Sequence, residues 1–342
     1  MALTVLRLYY RIPLHRKRRF VLEICLCIIL FLTAEKVWKR LEDAFSILHQ
    51  VPGLKTLELY FYPYHKDLDD YGNNIFLKYY THQWDIVYAL GSNRNPLPAL
   101  QSLKIYGWIC CKDELMLLFD EAPIARLAAS LRHLSFTLPR MESADTLESL
   151  ERFWMQGVVR RVLQPAVNLE SLVVTGSVRC GDAQRFDFSQ SQLPTFPQLA
   201  TLSLRHIIWK DDTSSQRDMV PLEFIVRHQK TLKKLELHNC AINVRKLSWP
   251  PHCYWADIYK RLANALTGLV EVKVEFNLKE DEIPYVYVTG YSFWNYSNKY
   301  DLKWRAPVLP PDAALAHDAL ALEEFRAVVK SQGMGNGSGF RS

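Results

Sequence analysis

The chain is short of the residues that make most catalytic and metal motifs recognisable. Seven cysteines among 342 residues fall at irregular places, Cys25, Cys27, Cys110, Cys111, Cys180, Cys240 and Cys253, and no C-x-x-C pair occurs. That argues against zinc ribbons and thioredoxin-type redox motifs and fits a reducing compartment, with thiols used as small core residues. There is no G-x-S-x-G, no H-E-x-x-H, no phosphate-binding loop and no kinase motif set. The Gly333-x-Gly335 pattern follows no strand signal, so it is not a nucleotide fingerprint. On these grounds the chain is expected not to be an enzyme, and to need no cofactor and no metal.

Acidic residues are missing from the start of the sequence. Residues 1–19 carry Arg7, Arg11, Arg16, Lys17, Arg18 and Arg19 without a single carboxylate. Those six account for the whole net charge of +6, leaving 36 basic against 36 acidic residues in the rest. A neutral body has no footprint for sequence-independent nucleic-acid binding, so none is expected. A long hydrophobic run is also lacking. The apolar stretch 20–34 is about 15 residues and contains Glu23, whereas a spanning helix needs ~20. Three readings of residues 1–33 stand side by side: a membrane anchor through residues 20–34, a cap on the following domain, or the product of a misplaced start. Asn295-Tyr-Ser and Asn336-Gly-Ser match the glycosylation sequon, which matters only in a secreted chain.

What is abundant is leucine at a fixed spacing. The core L-x-x-[LV]-x-[LIVF] occurs as Leu54-Leu57-Leu59, Leu100-Leu103-Ile105, Leu131-Leu134-Phe136, Leu169-Leu172-Val174, Leu199-Leu202-Leu204, Leu232-Leu235-Leu237 and Leu269-Val272-Val274. In each, alternation sends two apolar residues to one face of a short strand and polar neighbours to the other. Such a unit cannot bury its apolar face alone and needs neighbours. The copies start 30 to 46 residues apart, against ~20–29 in regular leucine-rich repeats.

The connections alternate with the strands. Helices are expected over Ala34–Gln50, Asp113–Ala129, Asp145–Leu163, Pro221–Gln229 and Tyr254–Leu266, from apolar residues at three- and four-residue steps. A last helix starts at Pro310-Pro311-Asp312, with Leu315, Leu322, Phe325 and Val329 on one face. Asp67, Asp69 and Asp70 lack the order of a calcium loop and read as a solvated acidic turn. Tyr285, Tyr287, Tyr291, Phe293, Trp294, Tyr296, Tyr300 and Trp304 crowd one segment, expected to seal the end of the repeats. This gives a basic and apolar segment 1–33, a repeat domain 34–330 with aromatic cap and helix, and a flexible tail 331–342.

The outward positions of the strands form the candidate site. From them Tyr60, Lys104, Tyr106, His133, Ser135, Ser203, Arg205, Glu236, His238 and Lys273 are expected to contact a protein partner, being polar, mixed in sign and dotted with Tyr and His. His238, Cys240, His252 and Cys253 are the one tempting metal set. Cys240 faces the core while His238 faces out, so the four do not converge. As an exposed position, Glu236→Ala is expected to cost less than about 0.5 kcal/mol.

The repeat strands with long irregular returns, preceded by Trp38-Lys-Arg-Leu-Glu-Asp-Ala-Phe-Ser-Ile-Leu48 and Pro52-Gly-Leu-Lys-Thr-Leu-Glu-Leu59, resemble the leucine-rich-repeat region of fungal F-box-type proteins over about residues 34–330. That resemblance implies an α/β fold: an irregular leucine-rich-repeat-like solenoid with parallel strands on the concave wall and helices and loops on the convex side. It also implies a protein-interaction scaffold in the cytoplasm or nucleus, in its specific form the substrate-recognition subunit of a cullin–RING ubiquitin ligase. An F-box, which would bind the Skp-type adaptor, is not found in residues 1–33, so that partner is expected only if one lies upstream. The alternative is a membrane-anchored repeat protein with no ligase role.

Overall fold

In the computed structural model, each of the seven repeat cores becomes a strand. The structure describes residues 6–11, 19–24, 54–61, 86–88, 90, 91, 97, 99–107, 121–137, 161–176, 193–210, 220–244, 253–276, 286–288, 290–293 and 310–337. The chain divides into two compact units, Met1–Ser171 and Leu172–Ser342. The first holds β1 (Leu6–Arg11), β2 (Arg19–Ile24), β3 (Thr56–Phe61), β4 (Ser102–Tyr106), helix α1 (Glu121–Ser130) and β5 (His133–Thr137). β1 and β2 form an antiparallel pair; β2, β3, β4 and β5 then pair in parallel, in chain order. Leu57, Leu59, Leu103, Ile105, Leu134 and Phe136 are all buried, so the two-residue period sets the core face.

The division falls in β6 (Ser171–Thr175). The second unit continues with β7 (Thr201–Arg205), β8 (Ile208–Lys210), α2 (Val220–Arg227), β9 (Lys234–His238), β10 (Ala241–Val244), α3 (Trp255–Ala265), β11 (Glu271–Glu275), β12 (Val286–Val288), β13 (Tyr291–Phe293) and α4 (Asp312–Gly337). β7, β9 and β11 pair in parallel, aligning Leu202, Leu235 and Val272, then Leu204, Leu237 and Val274. After these strands the chain must turn sharply. His206 and Asn239 do so in the left-handed region (φ 53° and 49°), as does Gly107 in the first unit (φ 70°). The His206 N–H donates to His238 O (2.8 Å) and the Asn239 N–H to Glu275 O (2.7 Å), so each turn is tied to the end of the following strand.

The expected solenoid is corrected here. A solenoid repeats one coil, and each coil touches only its neighbours. At 30 to 46 residues per copy, the returns are long enough to fold into elements of their own. β12-β13-β10-β8 forms a separate four-stranded sheet with both antiparallel and parallel pairs. α3 and α4 pack together through Tyr259 and Phe325, whose rings stack at 6.3 Å. The architecture is parallel α/β sheet with helices and a second sheet, not a run of equivalent coils.

Helices appear where periodicity places them at Glu121–Ser130, Val220–Arg227, Trp255–Ala265 and Asp312–Gly337. The last runs on to Gly337, taking the first residues assigned to the tail. Residues 19–24, at the front of the apolar stretch, are a strand with ladder partners on both sides. Residues 25–34, the helix over 34–50, the acidic turn at 67–70 and most of 145–163 lie outside the described residues. Among the described residues, no helix is long and apolar enough to cross a membrane. Of the aromatic segment, Tyr291 is buried; Tyr285, Trp294, Tyr296, Tyr300 and Trp304 lie outside the described residues.

One buried histidine fastens α2. His228 follows its last turn, is 2% exposed, and packs against Phe196 and Phe224. Its Nδ1–H donates to Phe224 O (2.7 Å), leaving Nε2 to accept the Phe196 N–H (3.0 Å), so the ring is neutral. Burial is the largest influence on its pKa and pushes it down, against the Phe224 hydrogen bond and with the Arg227 charge. A depressed folded pKa means that this stability is present above the ordinary 6.5 and is lost as pH falls below it. His228→Leu is expected to strand the Phe196 N–H and cost about 1–3 kcal/mol, and to remove this acid-dependent part of the melting curve. A pH series of thermal melts that stays parallel for the two proteins would disprove it.

Candidate functional site

The outward face of β7, β9 and β11 carries three aligned rows. They are Thr201, Lys234 and Glu271; Ser203, Glu236 and Lys273; and Arg205, His238 and Glu275. Parallel pairing with no register shift puts these side chains one strand apart, within reach of one another. Glu236 is the hub. Its Oε1 meets Lys234 Nζ at 3.1 Å, and its Oε2 meets His238 Nε2 at 3.2 Å and Arg205 Nη2 at 3.4 Å. Lys234 Nζ also donates to Glu271 Oε1 (2.6 Å), and Arg205 Nε to Ser203 Oγ (3.1 Å). His238 Nδ1 lies 3.0 Å from Glu275 Oε2, and Lys273 Nζ 2.9 Å from Glu275 Oε1. All seven ionisable side chains thus join one network.

Its centre is partly withdrawn from water and its rim is not. The Glu236 and His238 side chains are 15% exposed, against 44% for Arg205, 48% for Lys273 and 54% for Glu271. Desolvation alone would raise the Glu236 pKa. The hydrogen bonds from Lys234, His238 and Ser203, with the Lys234 charge, outweigh it and hold the carboxyl at about 2. Glu275 is lowered too, first by the Lys273 hydrogen bond, and Lys234 is raised by its bonds to Glu271 and Glu236. These bonds raise the stability cost expected for Glu236→Ala above the ~0.5 kcal/mol of an exposed position. Glu236→Ala is expected to cost about 1 kcal/mol, the upper range for exposed ion pairs, and the cost should shrink in high salt. Because the Glu236 pKa is depressed, its contribution is present above the ordinary 4.5 and lost as pH falls towards about 2. Equal melting temperatures for the two proteins at neutral pH and low salt would sink this assignment.

Of the ten residues expected at the site, Ser203, Arg205, Glu236, His238 and Lys273 are on this network's face in the second unit. Lys234, Glu271 and Glu275 complete it; strand alternation placed them on the face but could not rank them. Ser203 is buried instead of exposed, at 1%. Lys104, Tyr106, His133 and Ser135 lie on the outward face of β4 and β5 in the first unit. Lys104 pairs there with Glu58 at 2.9 Å, and Glu58 is fully buried although its strand position reads as outward. Tyr60 aligns with Tyr106 by backbone register, and its side chain lies outside the described residues. Among the described residues, no group of His, Cys, Asp and Glu is placed to hold a metal ion. Cys240 is buried with its thiol donating to Leu204 O (3.3 Å), and burial pushes its pKa up to about 12.

No protein-family model matches the chain, and no curated protein matches it. Among solved structures it is similar to one described as a "putative sugar phosphate isomerase/epimerase" from Anabaena variabilis. The identity is 13% and the TM-score 0.26, over 92% of this chain and 98% of that one. A likeness of that size assigns neither substrate nor mechanism here. The expectation of a solenoid falls to the second sheet described above, and the expectation of a non-enzyme, which rested on absent motifs alone, is withdrawn with it. The physical reason is general: catalytic groups converge from distant positions, and a missing linear motif does not exclude them.

Proposed function

We propose that the chain is a protein-interaction module whose second unit recognises a protein partner through the outward face of β7, β9 and β11. The observation that supports this is the single network of Arg205, Lys234, Glu236, His238, Glu271, Lys273 and Glu275, a fixed pattern of both charge signs on one sheet face. Such a pattern discriminates among partners by charge order, because a mismatched partner meets like charges. The more specific form is a substrate-holding subunit of a cullin–RING ubiquitin ligase acting in cytoplasm or nucleus. It rests on the resemblance to F-box-type proteins, and a Skp-type adaptor would join only through an F-box.

The test is a photo-reactive amino acid placed at Lys273, and separately at Leu320 on α4 as a control for an exposed site elsewhere. Crosslinking in the native cell should capture a protein from position 273 and not from 320, and Arg205→Glu should abolish the capture. Equal capture from both positions overturns the reading. Recovery of a Skp-type adaptor and cullin among the crosslinked complexes would support the ligase form, and a captured partner without them would remove it.

A further inference from the structure

Within the network, His238 is the ring that stands between two carboxylates. Both of its ring nitrogens face carboxylates: Nε2 lies 3.2 Å from Glu236 on its own strand and Nδ1 3.0 Å from Glu275 on β11. A neutral imidazole has one donor and one acceptor, so it can satisfy one carboxylate and must turn a lone pair toward the other. The imidazolium donates to both. The charged groups around it are Arg205 on β7, Lys234 and Glu236 on β9, and Glu271, Lys273 and Glu275 on β11, with the Ser203 hydroxyl beneath. The three cations balance the three carboxylates, so the charge of His238 decides the charge of the face.

The two carboxylates are not equally dependent on it. Glu236 also receives Lys234 and Arg205, whereas Glu275 receives Lys273 as its one other cation among the described residues. Loss of the Nε2 proton therefore leaves Glu236 still bonded, while loss of the Nδ1 proton would leave Glu275 with one partner. The Nδ1–H tautomer is the better neutral form on this ground.

We propose that His238 is a proton-operated clamp in the binding face. Protonated, it ties Glu236 to Glu275 across β9 and β11; deprotonated, it keeps Glu275, releases Glu236 and makes the face one charge less positive. Partner affinity consequently follows the protonation state of the His238 ring. The clamp is a property of the face itself, and its effect on affinity rests on the function proposed above.

Two measurements separate these parts. The first is NMR of the full chain between about pH 5 and pH 8, following the His238 ring nitrogens and the Glu236 and Glu275 carboxyl carbons. The expected result is loss of the Nε2 proton with a Glu236 carboxyl shift at the same midpoint, absent when His238→Gln is introduced. Loss of the Nδ1 proton first, or a ring titration to which neither carboxyl responds, overturns the clamp. The second is the affinity of the crosslinked partner for wild type and His238→Gln over the same range. A several-fold change in wild type that is flat in His238→Gln supports the regulation, and identical profiles overturn it. Failure of position 273 to capture any partner counts against the proposed function alone, because the NMR result still decides the clamp.

Discussion

Leu235→Asp should unfold the second unit. Leu235 is fully buried at the centre of β9, aligned with Leu202 on β7 and Val272 on β11. Removing such a side chain costs about 2–5 kcal/mol by cavity formation alone. A carboxylate in its place must also be desolvated, or must take up a proton. Together these exceed about 5 kcal/mol, comparable with the ~5–15 kcal/mol that holds a whole domain together. The measurement is far-UV circular dichroism with thermal melting of the full chain, set beside Leu235→Met, which conserves volume and should cost under about 1.5 kcal/mol. An unchanged melting curve for Leu235→Asp would show that β9 has the opposite face inward.

The second large effect is expected at Asp318, on α4. Its Oδ1 accepts the Ala256 N–H (2.8 Å) in the first turn of α3, and its Oδ2 accepts the Tyr291 hydroxyl (2.7 Å). The Tyr291 oxygen in turn accepts the Trp255 N–H (3.2 Å), and Asp257 accepts the Tyr254 N–H (3.2 Å). The start of a helix leaves N–H groups without partners inside the helix. Here a different helix and β13 supply them, placing a carboxylate at the positive end of the α3 dipole. Gly290 is part of the same junction. Its carbonyl accepts Trp255 Nε1–H (2.7 Å), its φ is +93°, and a Cβ there would lie 2.6 Å from Trp255 Nε1. No other residue fits without displacing the indole.

Asp318→Ala leaves the Ala256 N–H and the Tyr291 hydroxyl buried without that partner, at about 1–3 kcal/mol for each. The loss should appear as a lower melting temperature of the second unit with α3 exchanging its first amides faster. The pH dependence separates the carboxylate from its shape. Burial is the largest influence on Asp318 and raises its pKa above the ordinary 3.8, against the lowering bonds from Tyr291 and Ala256. The folded state therefore holds the proton more tightly than the unfolded one. Its stabilising contribution is full below 3.8 and declines as pH rises through the raised folded value. Asp318→Asn keeps an acceptor for Ala256, so it should cost less than Asp318→Ala and abolish this decline. If both variants kept the wild-type slope of stability against pH, the slope would belong to other groups.

Much of the strand layout was legible from spacing. Seven copies of one apolar pattern gave seven strands because a two-residue period can bury one face only in extended chain. The helices at 121–130, 220–227 and 255–265 followed from the three- and four-residue steps between those copies. The same spacing misled about architecture. A leucine pattern specifies that strands lie side by side, but the long returns decide what covers them. In the second unit those returns built a sheet of their own through Trp209, Ile242 and Tyr291, from segments with no shared pattern.

The sequence by itself determined which side chains share a face, since alternation along a strand needs no knowledge of the partner strand. That put Ser203, Arg205, Glu236, His238 and Lys273 together before any coordinate. Only the tertiary structure decided what each does there. Register across β7, β9 and β11 turned Glu236 into the hub of a network and set His238 between two carboxylates. Neighbouring elements buried Glu58 and Ser203 despite their outward positions. The Asp318 cap was unreadable for the same reason: its bond to Ala256 joins residues 62 apart in the chain. Local periodicity carries information over a few residues, whereas hydrogen-bond partners are chosen by distance in space.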